Sequence, residues 1–333
     1  MNRFFLLTLS LLFPLSMMGQ LPFQKTDVKD VMKKVADWQI AHQKDVKHGA
    51  LDWTNAALYM GMLDWAELAE TEMGDTSYYD WLVKLGRRYG WQPDKRMYHA
   101  DDIAVGQVFI DLYNKYKDKN MLYPTQARAE WVVNHPSDGP MDLDYKKRET
   151  LERWTWCDAL YMAPPVYVKL YMLTGDKRFI KFMNKEYKAT YDLLFDKDER
   201  LFYRDSRYLT QKEANGAKVF WGRGNGWVLG GLAEMLQDFP KNDKNRKFYE
   251  ELFVTLSARV AELQSADGFW HASMLDPASY PSPETSATGF IVYALAYGVN
   301  EGLLDKDTYL PIVEKGWKAL VSAVETDGKL GYV

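Results

Sequence analysis

Apolar residues recur at helical spacing along most of the chain, and short turn-rich pieces separate the periodic segments. The first helix begins at Thr26 or Asp27, either of which can act as its cap, and Val28, Val31 and Trp38 follow at helical spacing. Ten further helices are predicted over residues 53–73, 76–89, 101–116, 122–134, 156–175, 176–195, 221–239, 243–264, from 284 onward, and 306–326. Two turn-rich pieces, 196–203 and 265–270, are predicted to form small hairpins.

The predicted helices alternate between two kinds. Odd-numbered helices are rich in Lys, Glu and Asp, whereas even-numbered helices carry small and apolar residues, as in 55–58, 230–233 and 288–290. A helix that is apolar nearly all round is buried, and an amphipathic helix lies outside it. The alternation predicts an all-α fold, an (α/α)6 toroid of two concentric layers formed by one domain over residues 20–333. An irregular helical solenoid is the alternative.

A complete toroid of this kind has twelve helices, and eleven are visible in the sequence. Residues 331–333 stand where the last inner helix should begin. We therefore expect the last inner helix to be missing at the C-terminus, with one wall of the ring open, unless the helix count is wrong by one.

The N-terminal residues have the features of a processing signal. Asn2 and Arg3 precede an apolar run over residues 4–18, and Gly19 and Gln20 offer a cleavage site. This pattern is typical of a secretory signal peptide over residues 1–19, and the run is too short for a membrane anchor. We expect a secreted, periplasmic protein without a membrane partner.

Charge and cysteine content exclude several classes of function. The formal charge is −4, with 42 basic and 46 acidic residues, so no basic excess favours nucleic acid as a partner. The single cysteine, Cys157, excludes a disulfide framework, and the five histidines lack metal-ligand spacing. No metal or other cofactor is expected. Aromatic residues make up 15% of the chain, and they can fill a helical core or stack on sugar rings.

Residues capable of chemistry cluster at the starts of the even-numbered helices. These starts are 52–55, 99–102, 154–158, 221–227 and 282–286. Because the inner helices of an alternating toroid start at the same rim, we expect these segments to converge on one funnel. The free N–H groups and the dipole of each helix start favour an anion, such as an acidic sugar.

Three carboxyl groups are candidates for acid–base chemistry, namely Asp101, Asp102 and Asp158. Each can also be an ordinary helix cap. Asp158 differs because it lies among aromatic and apolar residues in WTWCDALYMAPP. Burial in such surroundings would raise its pKa and let it hold a proton near neutral pH, as a general acid must.

Other candidates could bind a sugar acid directly. Arg223 lies in a glycine-rich stretch and can clamp a carboxylate, while Trp227, one turn later, can stack on a ring. Alternatively, Arg223 satisfies helix-end carbonyls and Trp227 belongs to the core. His99 and His271 could hydrogen-bond sugar hydroxyls, or they could be structural.

Three segments carry a resemblance to a known family. HADDIAVGQ (99–107), WTWCDALYMAPP (154–165) and FWGRGNGW (220–227) resemble glycoside hydrolase family 105, the unsaturated rhamnogalacturonyl hydrolases, and the related family 88, the unsaturated glucuronyl hydrolases. The resemblance extends from about residue 26 to the end. It implies the toroid fold and removal of a 4,5-unsaturated uronate from the non-reducing end of lyase-generated oligosaccharides.

The resemblance also implies a mechanism and a substrate. The enzymes protonate C4 and add water at C5, and the resulting hemiketal opens and releases the next sugar, commonly rhamnose. An acidic oligosaccharide derived from pectin, of the rhamnogalacturonan type, is the expected partner. The alternative is the same chemistry on glucuronate-bearing fragments of arabinogalactan, ulvan or glycosaminoglycans.

Residue roles follow from the resemblance by position. Asp158 is expected to be the general acid that also handles the water, and Asp101 to be the second carboxylate, which orients ring hydroxyls. Asp102 competes with Asp101 for this role, because the doubled Asp makes the alignment ambiguous. Further substrate contacts are implied for Trp53, Asn55, Trp156, Arg223 and Trp227, and more weakly for His99 and His271.

Two rival functions remain open at this point. A non-catalytic protein could bind glycans in an aromatic funnel, and a toroid glycosidase could cleave saturated sugars with two carboxylates. The binding protein would show no turnover, so Asp158→Asn would have no activity to abolish. The glycosidase for saturated sugars would accept a saturated disaccharide.

Overall fold

The computed structural model describes residues 24–333, and the predicted signal peptide over residues 1–19 lies outside the described residues. The helices are α1 Lys25–His42, α2 Trp53–Met73, α3 Ser77–Arg88, α4 Ala100–Ile103, α5 Gly106–Tyr116, α6 Lys119–Asn134, α7 Ala159–Met162, α8 Pro164–Thr174, α9 Lys177–Leu194, α10 Gly222–Asp238, α11 Arg246–Glu262, α12 Thr285–Asn300 and α13 Lys306–Ser322. Two short strands, β1 Phe195–Asp196 and β2 Leu201–Phe202, pair antiparallel.

The helices form two layers, as the alternation predicts. The inner helices α2, α5, α8, α10 and α12 each pack against the next, and the outer helices cover them. Helix α10 is buried on nearly every side, whereas α9 is amphipathic and buries only one face, which includes Phe179, Met183 and Tyr187. Inner helices therefore form the core, and their ends form the two rims of the ring.

Two inner helices that we predict as continuous are broken. The segment 101–116 divides into α4 and α5, and the segment 156–175 divides into α7 and α8. Pro164 explains the second break, since proline has no N–H to donate and restricts the residue before it. The short helices α4 and α7 contact each other, which brings the segments that carry Asp101 and Asp158 together.

One of the two predicted hairpins is present. The strands β1 and β2 form the ribbon predicted over residues 196–203. The hairpin predicted over 265–270 is wrong, because this segment is a tight turn without paired strands. In this turn, the backbone N–H of Ser265 donates to the carbonyl of Phe269 at 3.1 Å, and Gly268 adopts a φ of +93°.

Helix ends follow ordinary capping chemistry. The carboxylates of Asp52, Asp118, Asp176 and Asp305 each accept a backbone N–H in the first turn of α2, α6, α9 and α13. The cap interpretation therefore holds for these four aspartates, of which Asp52 lies in the helix-start segment 52–55.

The inner ring has one open sector. No helix of the described residues lies between α12 and α2, and an apolar groove of about 410 Å³ occupies this position. Residues of α1, α2, α12 and α13 line it, among them Val35, Leu58, Gly289 and Leu320. Within residues 24–333, no helix combines the length and apolarity needed to cross a membrane.

A partly buried ion-pair network joins the three inner helices α5, α8 and α10 away from their first turns. Lys169 of α8 lies 2.9 Å from Asp111 of α5 and 2.7 Å from Asp238 of α10. The ammonium group of Lys169 is mostly buried, and these two carboxylates supply the charge that its burial requires.

Close approach of α10 to α7 depends on a glycine. A Cβ on Gly231 would lie 2.5 Å from the Leu160 carbonyl oxygen and 2.7 Å from Tyr161 Cα. We predict that Gly231→Ala lowers the free energy of unfolding by roughly 1–3 kcal/mol, because backbone atoms must move. Gly61→Ala in α2 is the matched control, since no atom lies within 4 Å of that position. Urea unfolding followed by circular dichroism should show no loss for Gly61→Ala, and an equal loss in both variants would contradict the close-packing explanation.

Candidate active site

The starts of the inner helices meet at one rim, as expected. A nitrogen of Arg223, in the first turn of α10, lies 3.2 Å from the carboxylate of Glu284, which caps α12. The ring of Trp53, the first residue of α2, meets the ring of Trp227 of α10 edge to face, with centroids 5.8 Å apart. Helix α7 contacts both α4 and α10, so all five helix-start segments lie together at this rim.

Asp158 is buried at the start of α7. Burial raises its pKa above the usual range, although a hydrogen bond from Cys157 and the charges of Arg204 and Arg223 oppose this. The Cys157 thiol donates to Asp158 Oδ1 at 3.2 Å. The surroundings therefore favour a protonated carboxyl group at higher pH than an exposed aspartate would allow.

Asp101 is the second carboxyl group of the funnel. Burial, followed by the negative charge of Asp158, raises the pKa of Asp101 to about 8. Its Oδ1 atom is buried and has no hydrogen-bond partner among the described residues. Asp101 and Asp158 thus interact through their charges, and both hold protons more tightly than exposed aspartates do.

Asp102 is in a different environment from Asp101. Its Oδ2 accepts the backbone N–H of Arg96 at 2.7 Å, and its Oδ1 accepts Arg96 Nε at 2.9 Å. With 2% of its surface exposed, Asp102 has both oxygens occupied by protein. The two neighbouring aspartates are therefore in different surroundings. Asp101 interacts with Asp158 through charge, whereas Asp102 holds the loop before α4.

His99 and Trp156 form one side of the funnel. Their rings lie 4.8 Å apart, and His99 Nδ1 accepts the N–H of Asp101 at the start of α4. Burial and the nearby charge of Arg96 lower the pKa of His99 to about 4. His99 is therefore neutral near pH 7 and fixes the backbone of Asp101. Trp156, the predicted aromatic wall, therefore lies next to His99.

Two of the predicted uronate contacts, Arg223 and Trp227, have buried polar atoms without a partner among the described residues. Arg223 Nε and Trp227 Nε1 are buried without hydrogen-bond partners among the described residues, as is Asp101 Oδ1. Buried polar atoms are normally paired, and seven other side-chain atoms of the described residues share this state, so the missing partners agree with a ligand at the funnel without locating one. Trp227 packs against Tyr161 and Phe290 and is 2% exposed, which leaves its ring little free face for stacking.

Two predicted contacts are occupied with protein groups instead. The amide of Asn55 donates to the Gly49 carbonyl at 2.8 Å and holds the loop before α2. Both ring nitrogens of His271 are engaged, with the Ser282 carbonyl at 2.9 Å and Asp267 at 3.2 Å. The structure gives Asn55 and His271 loop-positioning roles, whereas Trp53 stays at the rim.

Sequence reasoning missed three residues of the funnel. The guanidinium groups of Arg204 and Arg223 lie 5.6 Å and 4.7 Å from the ring centre of Trp221, and Glu284 pairs with Arg223. Trp221 and Glu284 were visible within the helix-start segments 221–227 and 282–286. Arg204 follows β2, where no helix-start pattern could indicate it. Within residues 24–333, no group of three or more His, Cys, Asp or Glu side chains is arranged to hold a metal ion.

A helical double layer with an acid pair, an arginine and aromatic walls at one rim defines a carbohydrate-active toroid. The sequence model of the family described as Glycosyl Hydrolase Family 88 matches residues 31–333, so the chain belongs to this family. Both the family and the toroid named from the sequence are confirmed, since solved structures of families 88 and 105 share the fold.

Similar proteins agree with this assignment. The chain is 38% identical over 340 residues to an unsaturated 3S-rhamnoglycuronyl hydrolase of Formosa agariphila, covering 98% of this chain and 89% of the relative. A solved family 88 glycosyl hydrolase from Bacteroides vulgatus is 29% identical, with a TM-score of 0.82 and coverage of 92% and 88%. A solved chain named as a polysaccharide lyase is 33% identical, with a TM-score of 0.82 and coverage of 92% and 87%. The protein is a glycosidase of a family that acts on unsaturated uronate oligosaccharides.

The raised pKa of Asp101 makes stability depend on pH. The folded protein binds this proton more tightly than the unfolded chain, whose aspartate titrates near 3.8. Between about pH 4 and 8 the folded state therefore holds more protons, and this group lowers stability as pH rises. Asparagine imitates the protonated group and does not ionise. We predict that the melting temperature of Asp101→Asn, relative to wild type, increases from pH 5 to pH 8.

The control for this prediction is Asp118→Asn, the same change at a partly exposed helix cap. Differential scanning calorimetry at several pH values should show no such increase for Asp118→Asn. An Asp101→Asn difference that is constant over this range would mean that Asp101 is ionised in the folded protein.

Proposed function

We propose that this protein removes a 4,5-unsaturated uronate from the non-reducing end of lyase-generated oligosaccharides in which rhamnose follows the uronate. The observation that carries the proposal is the pair Asp158 and Asp101, buried at the rim with raised pKa values and next to Arg223. Such a pair can keep a proton near neutral pH and deliver it to carbon, which the hydration of an enol ether requires.

In the first step, Asp158 gives its proton to C4 of the double bond. Positive charge then develops at C5 and the ring oxygen, and a water molecule adds at C5. Asp158, now a carboxylate, accepts a proton from this water, so the acid is regenerated. The neutral form of Asp101 can hydrogen-bond the ring hydroxyls and keep C4 in front of Asp158.

The remaining steps need little from the protein. The hemiketal at C5 opens to a ketone, and the hemiacetal that this leaves at C1 releases the next sugar as an alcohol. Arg223 would bind the carboxylate of the uronate throughout. Its Nε atom is buried and unpaired, so a carboxylate oxygen there would satisfy a group that the protein leaves without a partner.

The leaving sugar is proposed from the relative and not from the geometry. The Formosa agariphila protein carries rhamnose in its name, and rhamnose is also the common leaving sugar implied by the sequence resemblance. Unsaturated galacturonyl-rhamnose, of the pectin type, and unsaturated glucuronyl-rhamnose are therefore the two substrates to compare.

The test is an ultraviolet assay with these two disaccharides. Hydration destroys the conjugated double bond, so absorbance should fall while rhamnose is released in equal amount. A binding protein would leave the absorbance of both disaccharides unchanged. A lyase would instead increase absorbance when a saturated polymer is supplied. Either of these two results with the purified wild-type protein would refute the proposal.

Asp158→Asn should reduce kcat by at least about a thousandfold, because the proton donor to carbon is removed. Binding of the disaccharide, measured by calorimetry, should remain within about threefold of wild type, since the amide keeps the shape of the acid. Asp118→Asn provides the matched control and should keep full activity. Normal turnover by Asp158→Asn would show that another group supplies the proton.

A further inference from the structure

One side chain is bonded directly to the proposed acid. The thiol of Cys157 donates to Asp158 Oδ1 at 3.2 Å, and no other side chain of residues 24–333 donates a hydrogen bond to that carboxyl group. Cys157 is fully buried. Burial, followed by the negative charge of Asp158, raises the pKa of the thiol well above its usual range, so the sulfur keeps its proton. Asp158 thus has a donor at one oxygen whether it is protonated or ionised.

Backbone bonds and close packing fix the position of this thiol. The backbone N–H of Cys157 donates to the Arg204 carbonyl at 2.8 Å, and its carbonyl accepts the N–H of Leu160 at 3.0 Å. Helix α10 packs directly on the sulfur, since a Cβ on Gly224 would lie 2.9 Å from it. The sulfur therefore has little room to move away from Asp158.

A donor at Oδ1 makes the two oxygens of Asp158 unequal. In a neutral carboxyl group, one oxygen carries the proton and the other is the better acceptor, so the bond from the thiol favours the proton on Oδ2. After this proton has left, the same bond becomes charge-assisted and stabilises the carboxylate. The contact is therefore stronger in the state that proton transfer produces than in the state before it.

We propose that Cys157 is a positioning residue, whose thiol holds Asp158 Oδ1 so that Oδ2 delivers the proton to C4 of the unsaturated uronate. The same thiol then stabilises the carboxylate of Asp158 until the attacking water returns a proton to it. The proposal rests on the proposed function, because that function makes Asp158 the acid. In this role Cys157 touches no substrate, and it acts by orienting Asp158 before the reaction begins.

The first experiment measures kcat and KM for wild type, Cys157→Ala and Cys157→Ser, by loss of ultraviolet absorbance of the disaccharide that wild type accepts. Cys157→Ala removes the donor and should lower kcat by about tenfold. KM should stay within about threefold, since the thiol does not touch the substrate. Cys157→Ser keeps a donor and should recover part of the loss. Ser257→Ala, which removes another buried polar group, is the matched control and should keep the wild-type kcat.

The pH profile separates positioning from a merely structural role. Activity falls with rising pH as the acid ionises, and the hydrogen bond from Cys157 lowers the pKa of Asp158. Cys157→Ala should therefore move the alkaline limb of kcat to higher pH, and Cys157→Ser should return it toward the wild-type position. Both variants retain the other charged groups that face this pair, namely Asp101 of α4, Arg223 of α10, and Arg204 and Asp205 of the segment after β2.

A second measurement uses the folded wild-type protein. The chain has one cysteine, so the S–H stretching band in its infrared spectrum comes from Cys157 alone. The band should move to lower frequency as Asp158 ionises with rising pH, because a carboxylate is a stronger acceptor than a carboxylic acid. This shift should be absent in Asp158→Asn and present in Asp118→Asn.

Three results would overturn the assignment. They are a wild-type kcat and pH profile in Cys157→Ala, equal kcat and the same alkaline limb in Cys157→Ala and Cys157→Ser, and a wild-type S–H band that does not respond to pH. Melting temperatures show whether the variants fold, and the infrared result decides if Cys157→Ala does not. Failure of the proposed function gives a different result, namely no loss of absorbance with wild type on any substrate.

Discussion

Tight packing of the inner helices is the constraint on which the rest of the structure depends. Helix α10 can approach its neighbours because Gly231 and Gly222 face backbone carbonyls of Leu160 and His271, where a Cβ would overlap. Because these helices start at the same rim, packing also gathers their first turns. The funnel is therefore a product of the core, and its side chains are held by helices that have little freedom to shift.

The same packing controls protonation in the funnel. Asp158 and Asp101 are removed from water, which disfavours their charged forms, and His99 is removed from water too, which disfavours its protonated form. Burial is thus the common cause of the protonated carboxyl groups of Asp158 and Asp101 and of the neutral imidazole of His99. Away from the first turns of the inner helices, two carboxylates accompany Lys169, so its charge survives burial there.

Sequence predicted the alternation of helices, the convergence of their starts and the burial of Asp158, because periodicity and apolar neighbours are local signals. It could not separate Asp101 from Asp102, since the difference depends on Arg96, which lies six residues before Asp102 and folds against its carboxylate. The loop roles of Asn55 and His271 likewise depend on carbonyl groups that a pattern does not reveal. Arg204 reaches the funnel through long-range contacts and was not predictable.

The unpaired atoms at the rim have a consequence for discrimination among sugars. Asp101 Oδ1, Arg223 Nε and Trp227 Nε1 carry a desolvation penalty in the free protein, and a ligand with matching polar groups relieves it. A sugar of the same size that lacks those groups would leave the penalty in place. Under the proposed function, near-isosteric sugars are therefore rejected through the polar atoms that they fail to satisfy more than through steric exclusion.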